Sequence, residues 1–226
     1  MISAMLALGY YLSILTFCGN YIAKGMTWIK HKPNTVFPHP KATLKVLGMS
    51  AVDIFLFRRL LSVNDVLWIG EWVFHVSFVF VILRHLRYFI NPIPQWIWGM
   101  QTPGIIAGYI LPVALVYIVA MKVIIEKKKY VSSYNFFLIA LLFIIGVTGL
   151  FMKIVFRPDV VGIKEFIIGT VTFGFVNAPE SALFVMHFLM VLLMFVCLPT
   201  HLFAAPLTLL ESRQRDEMIK GLVHEK

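Results

Sequence analysis

The stretch "EWVFHVSFVFVILRHLRYF", Glu71 to Phe89, is apolar enough to lie in lipid and yet carries His75 and His85 ten positions apart. A run of about 20 apolar residues spans the hydrocarbon core of a bilayer as a helix. Ionisable side chains at that depth are rare and point to function by default. What surrounds this stretch decides whether the segment is a membrane span, and the histidines decide what the span is for.

The rest of the chain agrees with a membrane reading. Of its 226 residues 60% are hydrophobic and only 14% charged, with a mean hydropathy of +0.86. Soluble domains carry about a quarter charged residues. Four further stretches have the length and apolarity to cross a bilayer, so the expected spans are residues 2–23, 66–90, 104–125, 134–156 and 182–210. A closed β-barrel would show short alternating segments instead. The expectation is therefore an all-α integral membrane protein, a five-transmembrane-helix bundle forming one domain over residues 1–226. Pro112 is expected to kink the third span, and Pro199 with Pro206 to bend the fifth. The first run has no basic flank before it and no small-residue cleavage pattern after it, so it reads as a span and not a signal peptide.

Basic residues set the orientation. The connection between spans one and two, that between three and four, and the tail hold fifteen Lys and Arg, against five on the opposite side. The N-terminus is then expected outside and the C-terminus in the cytoplasm. The net charge of +9 belongs to this topology and not to nucleic-acid binding. Within the first connection, "KHKPNTVFPHPK" is proline-broken, and "LKVLGMSAVDIFLFRRLL" reads as an apolar helix lying at the inner interface, residues 44–62. Cys18 and Cys197 both fall in apolar runs; they make neither a disulfide framework nor a C-x-x-C-H haem attachment.

Seven histidines occur, and four lie within spans: His75 and His85 in the second, His187 and His201 in the fifth. His31, His39 and His224 sit in polar segments. At about 1.5 Å of rise per residue, His75 and His201 both lie ~15 Å from the inner boundary, and His85 and His187 both ~10 Å from the outer one. The two spans run antiparallel, so the four imidazoles form two levels with one ring from each helix. Two facing imidazoles can hold one haem iron with both axial positions filled. Such a group passes electrons and leaves no position open for substrate. Two levels would sit ~15–20 Å apart along the membrane normal.

At this point the chain resembles a known family. The stretches "FHVSFVFVILRH" (Phe74–His85) and "HFLMVLLMFVCLPTHLFAAP" (His187–Pro206) are similar to those of the gamma subunit of respiratory nitrate reductase, a five-helix dihaem cytochrome b. The wider family includes membrane subunits of the sulfite-reduction-associated and heterodisulfide reductase complexes, and "FRRLLSVNDVLWIGEWVFH" (Phe57–His75) looks closer to the sulfite branch. The 14 residues from His187 to His201 are a turn fewer than the nitrate reductase pattern, which also favours the other branches. The resemblance implies two haem b groups, His75 and His201 holding the inner iron and His85 and His187 the outer. It further implies that electrons pass between a menaquinone or ubiquinone pool and a cytoplasm-facing iron–sulfur partner subunit, in a prokaryotic inner membrane. Terminal chemistry would lie in partner subunits.

Arg84 and Arg87 flank His85 and suit haem propionates or a quinone carbonyl, although basic residues also anchor helix ends at the interface. Arg58 and Arg59 could serve the inner group or a soluble subunit in the same way. Glu71, a turn below His75, could take a proton. For the quinone, the outer connections supply Asn91 and Gln101, and Lys164, Glu165, Asn177 and Glu180. Gly104, Gly108, Gly146 and Gly149 read as helix-packing positions. The alternative function is a transporter or proton channel with a histidine relay, which would call for repeats and broken helices; a third is an anchor whose histidines only bridge helices.

Overall fold

The computed structural model describes residues 2–30, 44–125, 132–174 and 176–224. The stretches around Lys32–Lys41 and Lys127–Lys129, with His31 and His39, lie outside the described residues. Among those described there are nine α-helices and no strand. They are α1 (Ile2–Lys30), α2 (Leu44–Leu56), α3 (Arg58–Val63), α4 (Asp65–His85), α5 (Gln95–Gly99), α6 (Gln101–Ile125), α7 (Ser133–Phe151), α8 (Val160–Val171) and α9 (Ala182–His224). A 3₁₀ turn, Leu86–Tyr88, extends α4, and a π turn, Met152–Phe156, extends α7.

Five helices are long and apolar enough to cross a membrane: Ile2–Trp28, Asp65–Tyr88, Gln101–Ile124, Ser133–Phe156 and Ala182–Leu202. Their mean hydropathies run from 1.6 to 2.5. Their outer faces stay apolar, with Val79, Ile82, Val113, Val116, Phe137 and Leu189 all exposed. A surface of this kind suits lipid, since in water contiguous apolar patches mark aggregation or an interface. Pro199 and Pro206 both sit inside an unbroken α9.

Two departures from the sequence reading stand out. The interfacial segment expected over residues 44–62 is two helices, separated by Phe57 in the left-handed region at φ 48°. The fourth-to-fifth connection, expected as an outer loop, contains α8. Asp159 caps it, accepting from the backbone N–H of Val161 at 2.9 Å and of Gly162 at 3.1 Å. Such caps satisfy the free N–H groups of a first turn.

The chain divides into two compact units. The first comprises residues 1–14 and 66–196, the second residues 15–65 and 197–226. In the first unit α8 forms the heart of a core in which Ile163, Phe166 and Ile167 meet Leu6, Phe184, Phe188 and Leu192. Phe166 meets Phe184 and Phe188 edge-on at 6.0 and 5.7 Å between ring centroids. Tyr11 donates to the Thr170 carbonyl at 2.5 Å, holding α1 to the C-terminal end of α8. Elsewhere α6 packs on α7, where a methyl at Gly146 would sit 3.1 Å from Leu111. Helix association in lipid depends on such close approach, since lipid is as apolar as the side chains themselves.

The second unit is organised by a buried carboxylate. Asp53 of α2 is 1% exposed. It accepts from Arg213 of α9 twice, at 2.5 Å (Nε) and 2.8 Å (Nη2), and from Arg59 Nε at 3.4 Å. Arg59 continues to Asp216 at 2.6 Å and to Ser212. The Arg213 hydrogen bond, against the opposing effect of burial, holds the Asp53 carboxyl below the usual carboxylate range. A buried charge is tolerable only when paired and hydrogen-bonded in this way.

Candidate haem and quinol site

Three of the four candidate ligands, His75, His85 and His187, make a hydrogen bond at Nδ1. On α4, His75 Nδ1 lies 2.7 Å from the Glu71 carbonyl and His85 Nδ1 2.6 Å from the Val81 carbonyl. A backbone carbonyl only accepts, so Nδ1 must carry the proton in both rings. In a neutral imidazole this leaves the lone pair on Nε2, the form that binds metal. On α9, His187 Nδ1 lies 2.9 Å from Thr148 Oγ1 of α7. The first unit thus holds three of the four intramembrane histidines. His85 and His187 are close enough to act on one another electrostatically. His201 belongs to the second unit, where it is exposed. Its pairing with His75 rests on the sequence.

The surroundings of His85 fit an anionic porphyrin. Arg84 Nε and Arg87 Nε are buried and without a hydrogen-bond partner among the described residues. An unpaired buried donor is costly, and on a guanidinium it is a demand for an anion. Arg87 is otherwise held in place, donating to Gln101 Oε1 at 2.9 Å and to Tyr88 Oη at 2.5 Å. The stem of Arg84 lies against Gly104, where a methyl would come within 2.6 Å of Arg84 Cβ. A methyl at Gly149 would touch His187 Cε1 at 3.4 Å. Gly104, expected to pack helices, thus makes room for Arg84, while at Gly149 a methyl would be in ordinary contact with His187. Nδ1-protonated imidazoles on α4, unpaired arginine donors and the cradle at Gly104 all suit haem b. Among the described residues no group of three His, Cys, Asp or Glu side chains could hold a bare metal ion, whereas haem asks the protein for two axial ligands only.

Around His75 the picture differs. Glu71 Oε1 pairs with Lys122 Nζ of α6 at 3.1 Å, and its second oxygen lies 4.0 Å from His75 Nδ1. The expected proton acceptor is thus an ion-paired carboxylate. Arg58 is exposed, and Arg59 is committed to Asp53 and Asp216.

An open cleft of about 800 Å³ lies beyond the N-terminal end of α9, lined by Pro158, Asp159, Asn177, Glu180, Leu183 and Met186 among others. Leu183 is one helical turn before His187, roughly 6 Å of rise. The cleft includes Asn177 and Glu180 from the polar groups expected to meet a quinone ring. It does not include Asn91 and Lys164, which bond each other at 3.2 Å, or Gln101, which holds Arg87.

The chain is similar to cytochrome b-like subunits. It is 25% identical over 193 residues to the "Hdr-like menaquinol oxidoreductase cytochrome b-like subunit" of Archaeoglobus fulgidus, covering 73% of this chain and 58% of that protein. With the protein of the same name from Archaeoglobus profundus it is 28% identical over 150 residues, covering 59% of this chain and 44% of the relative. The chain therefore matches between two-fifths and three-fifths of these relatives' lengths. No protein-family model matches it, and no solved structure does.

What the sequence did not single out is Thr148. A hydroxyl inside the apolar run of α7 has no periodic signature, and only its contact with His187 reveals it. Asp53 and Arg213 were likewise unmarked, since a carboxylate and a guanidinium 160 positions apart carry no local pattern.

Proposed function

We propose that the chain is the quinol-linked, dihaem cytochrome b subunit of a multi-pass membrane oxidoreductase, of the heterodisulfide-reductase-like branch and not of the nitrate reductase one. The observation that carries this reading is the His85 neighbourhood. There, His85 and His187 both engage Nδ1 in hydrogen bonds, which leaves Nε2 available, beside two arginines whose buried Nε donors lack partners among the described residues. His85 and His187 hold the outer iron, His75 and His201 the inner. Haem bound at these levels supplies one-electron transfer.

The chain's own groups do the rest. Arg84 and Arg87 bind the outer propionates and offset their charge in a region of low dielectric. The cleft by Leu183 and Met186 receives the quinol ring, with Asn177 and Glu180 at hand for its hydroxyls. Protons released there leave on the outer side, electrons move inward, and charge is separated across the membrane. The N-terminus lies outside, and the tail of α9 lies in the cytoplasm, next to an iron–sulfur partner. The names of the archaeal relatives support menaquinol as the substrate. The host membrane is a prokaryotic inner membrane.

The test is optical. Membranes containing the chain should show a b-type absorption band that a menaquinol analogue reduces. Replacing Met186 with Trp, to fill the cleft, should slow that reduction at least tenfold while leaving the dithionite-reduced band intact. A band that dithionite reduces and no quinol does would end the quinol assignment. The one feature favouring a proton relay is the Glu71–Lys122 pair beside His75. A colourless protein that conducts protons would establish that reading instead.

A further inference from the structure

We propose that Thr148 is the positioning residue of His187, fixing which ring nitrogen faces the iron and how the ring is turned, with Gly149 as the floor beneath it. This inference rests on the reading of His187 as a haem ligand.

The two α4 histidines are oriented by their own helix, each bonding the carbonyl four residues back. His187 is built differently, because its ring bonds to another helix, where Thr148 Oγ1 lies 2.9 Å from Nδ1 and the Ile145 carbonyl is a further partner. Thr148 is 5% exposed, and its Oγ1 lies 2.9 Å from the Ile144 carbonyl and 3.0 Å from that of Ile145. A hydroxyl has one proton to give, and carbonyls can only accept it. With the Ile145 carbonyl, itself only an acceptor, also bonded to the His187 ring, we assign the hydroxyl proton to α7, as helical Thr hydroxyls commonly do. What Thr148 offers His187 is a lone pair, so Nδ1 is the protonated nitrogen and Nε2 the ligand.

Gly149 completes the seat. Its Cα faces the ring, and a methyl there would stand 3.4 Å from Cε1 and 4.0 Å from Nδ1. The seat thus couples the orientation of a ligand on α9 to the packing of α7 against it. An imidazole whose N–H is donated to a good acceptor is the more basic ligand, which favours the oxidised iron. Losing the acceptor should raise the potential of that haem.

The experiment compares Thr148→Val, Thr148→Ser and His187→Ala in the full chain, purified from membranes. It reads haem content, the midpoint potential of each haem and the low-spin electron paramagnetic resonance signals. Val, which keeps the shape, is expected to move one midpoint upward and shift one low-spin signal, leaving the other unchanged. Ser is expected to restore both. Loss of one haem in Val with rescue in Ser would support the same role. Should Val fail to accumulate, Thr148→Ala is read in its place.

Unchanged midpoint and signals in Val and Ala would overturn the inference, as would equal damage by Ser. If His187→Ala keeps both haems, the ligand reading itself falls. If it loses one while Thr148→Val matches the wild type, only the role of Thr148 falls.

Discussion

Arg58 and Arg59 precede α4, and Arg84 and Arg87 close it; in the sequence the two pairs look alike. Their structural circumstances are opposite. Arg59 is fully engaged by Asp53, Asp216 and Ser212, and Arg58 is exposed. Arg84 and Arg87 are partly buried, with buried Nε donors unanswered by the described residues. The first pair serves the protein's own architecture. The second is arranged for something the polypeptide does not supply. Burial without a partner, more than charge or position, separates a binding arginine from an anchoring one.

The largest effect should come from the proposed ligand beside the second pair. His85→Ala should abolish the outer haem, halving the proposed haem content measured by pyridine haemochrome absorbance. A smaller loss would place that iron on other residues.

Next comes the paired region. Asp53→Asn removes the acceptor of two arginines and leaves both charges under-compensated; breaking a buried pair typically costs about 3 kcal/mol. For a chain of this size that is a fall in Tm on the order of 5–10 °C, read by thermal denaturation in detergent. The haem spectrum should be unchanged. The same contribution should depend on pH. Asp53 has a folded-state pKa below its ordinary value, chiefly through Arg213. Its stabilisation is therefore complete above about pH 4 and disappears as pH falls through the lowered value. In the Asn variant that acid-side loss should be absent, so the two proteins' melting temperatures should converge at low pH.

Arg84→Gln and Arg87→Gln should be milder and of another kind. Each removes a positive charge and a charge-assisted hydrogen bond, worth about 1.5 kcal/mol. The outer haem's midpoint should fall by roughly 60 mV, a tenfold change for one electron, with Tm nearly constant. A fall in Tm without a shift in potential would make this pair structural, like the first. The smallest effect should be that of Arg58→Gln, within about 0.5 kcal/mol by thermal denaturation.

The spans were legible because hydropathy over 20 residues is a local property; the two histidine levels are an expectation drawn from helical rise. The α8 segment, "VVGIKEFIIGTV", was not recognised as a helix. It is too short to cross a bilayer, and its apolar residues find their purpose only against Leu6 and Phe188. Phe57 gave no warning that a non-glycine residue would take the left-handed conformation and divide the interfacial segment. Gly104 and Gly149 were noticed as helix-packing positions, and they do face neighbouring helices, at Arg84 and at His187. Sequence shows that a side chain is absent there, and the fold shows for whom the space is kept.

The most direct test of the central claim is the ratio of haem b to polypeptide in the purified protein, measured for the wild type and for His187→Ala. The account predicts two haems falling to one, with the remaining haem spectroscopically intact. A wild-type protein that binds no haem, or a variant that keeps both, would contradict it.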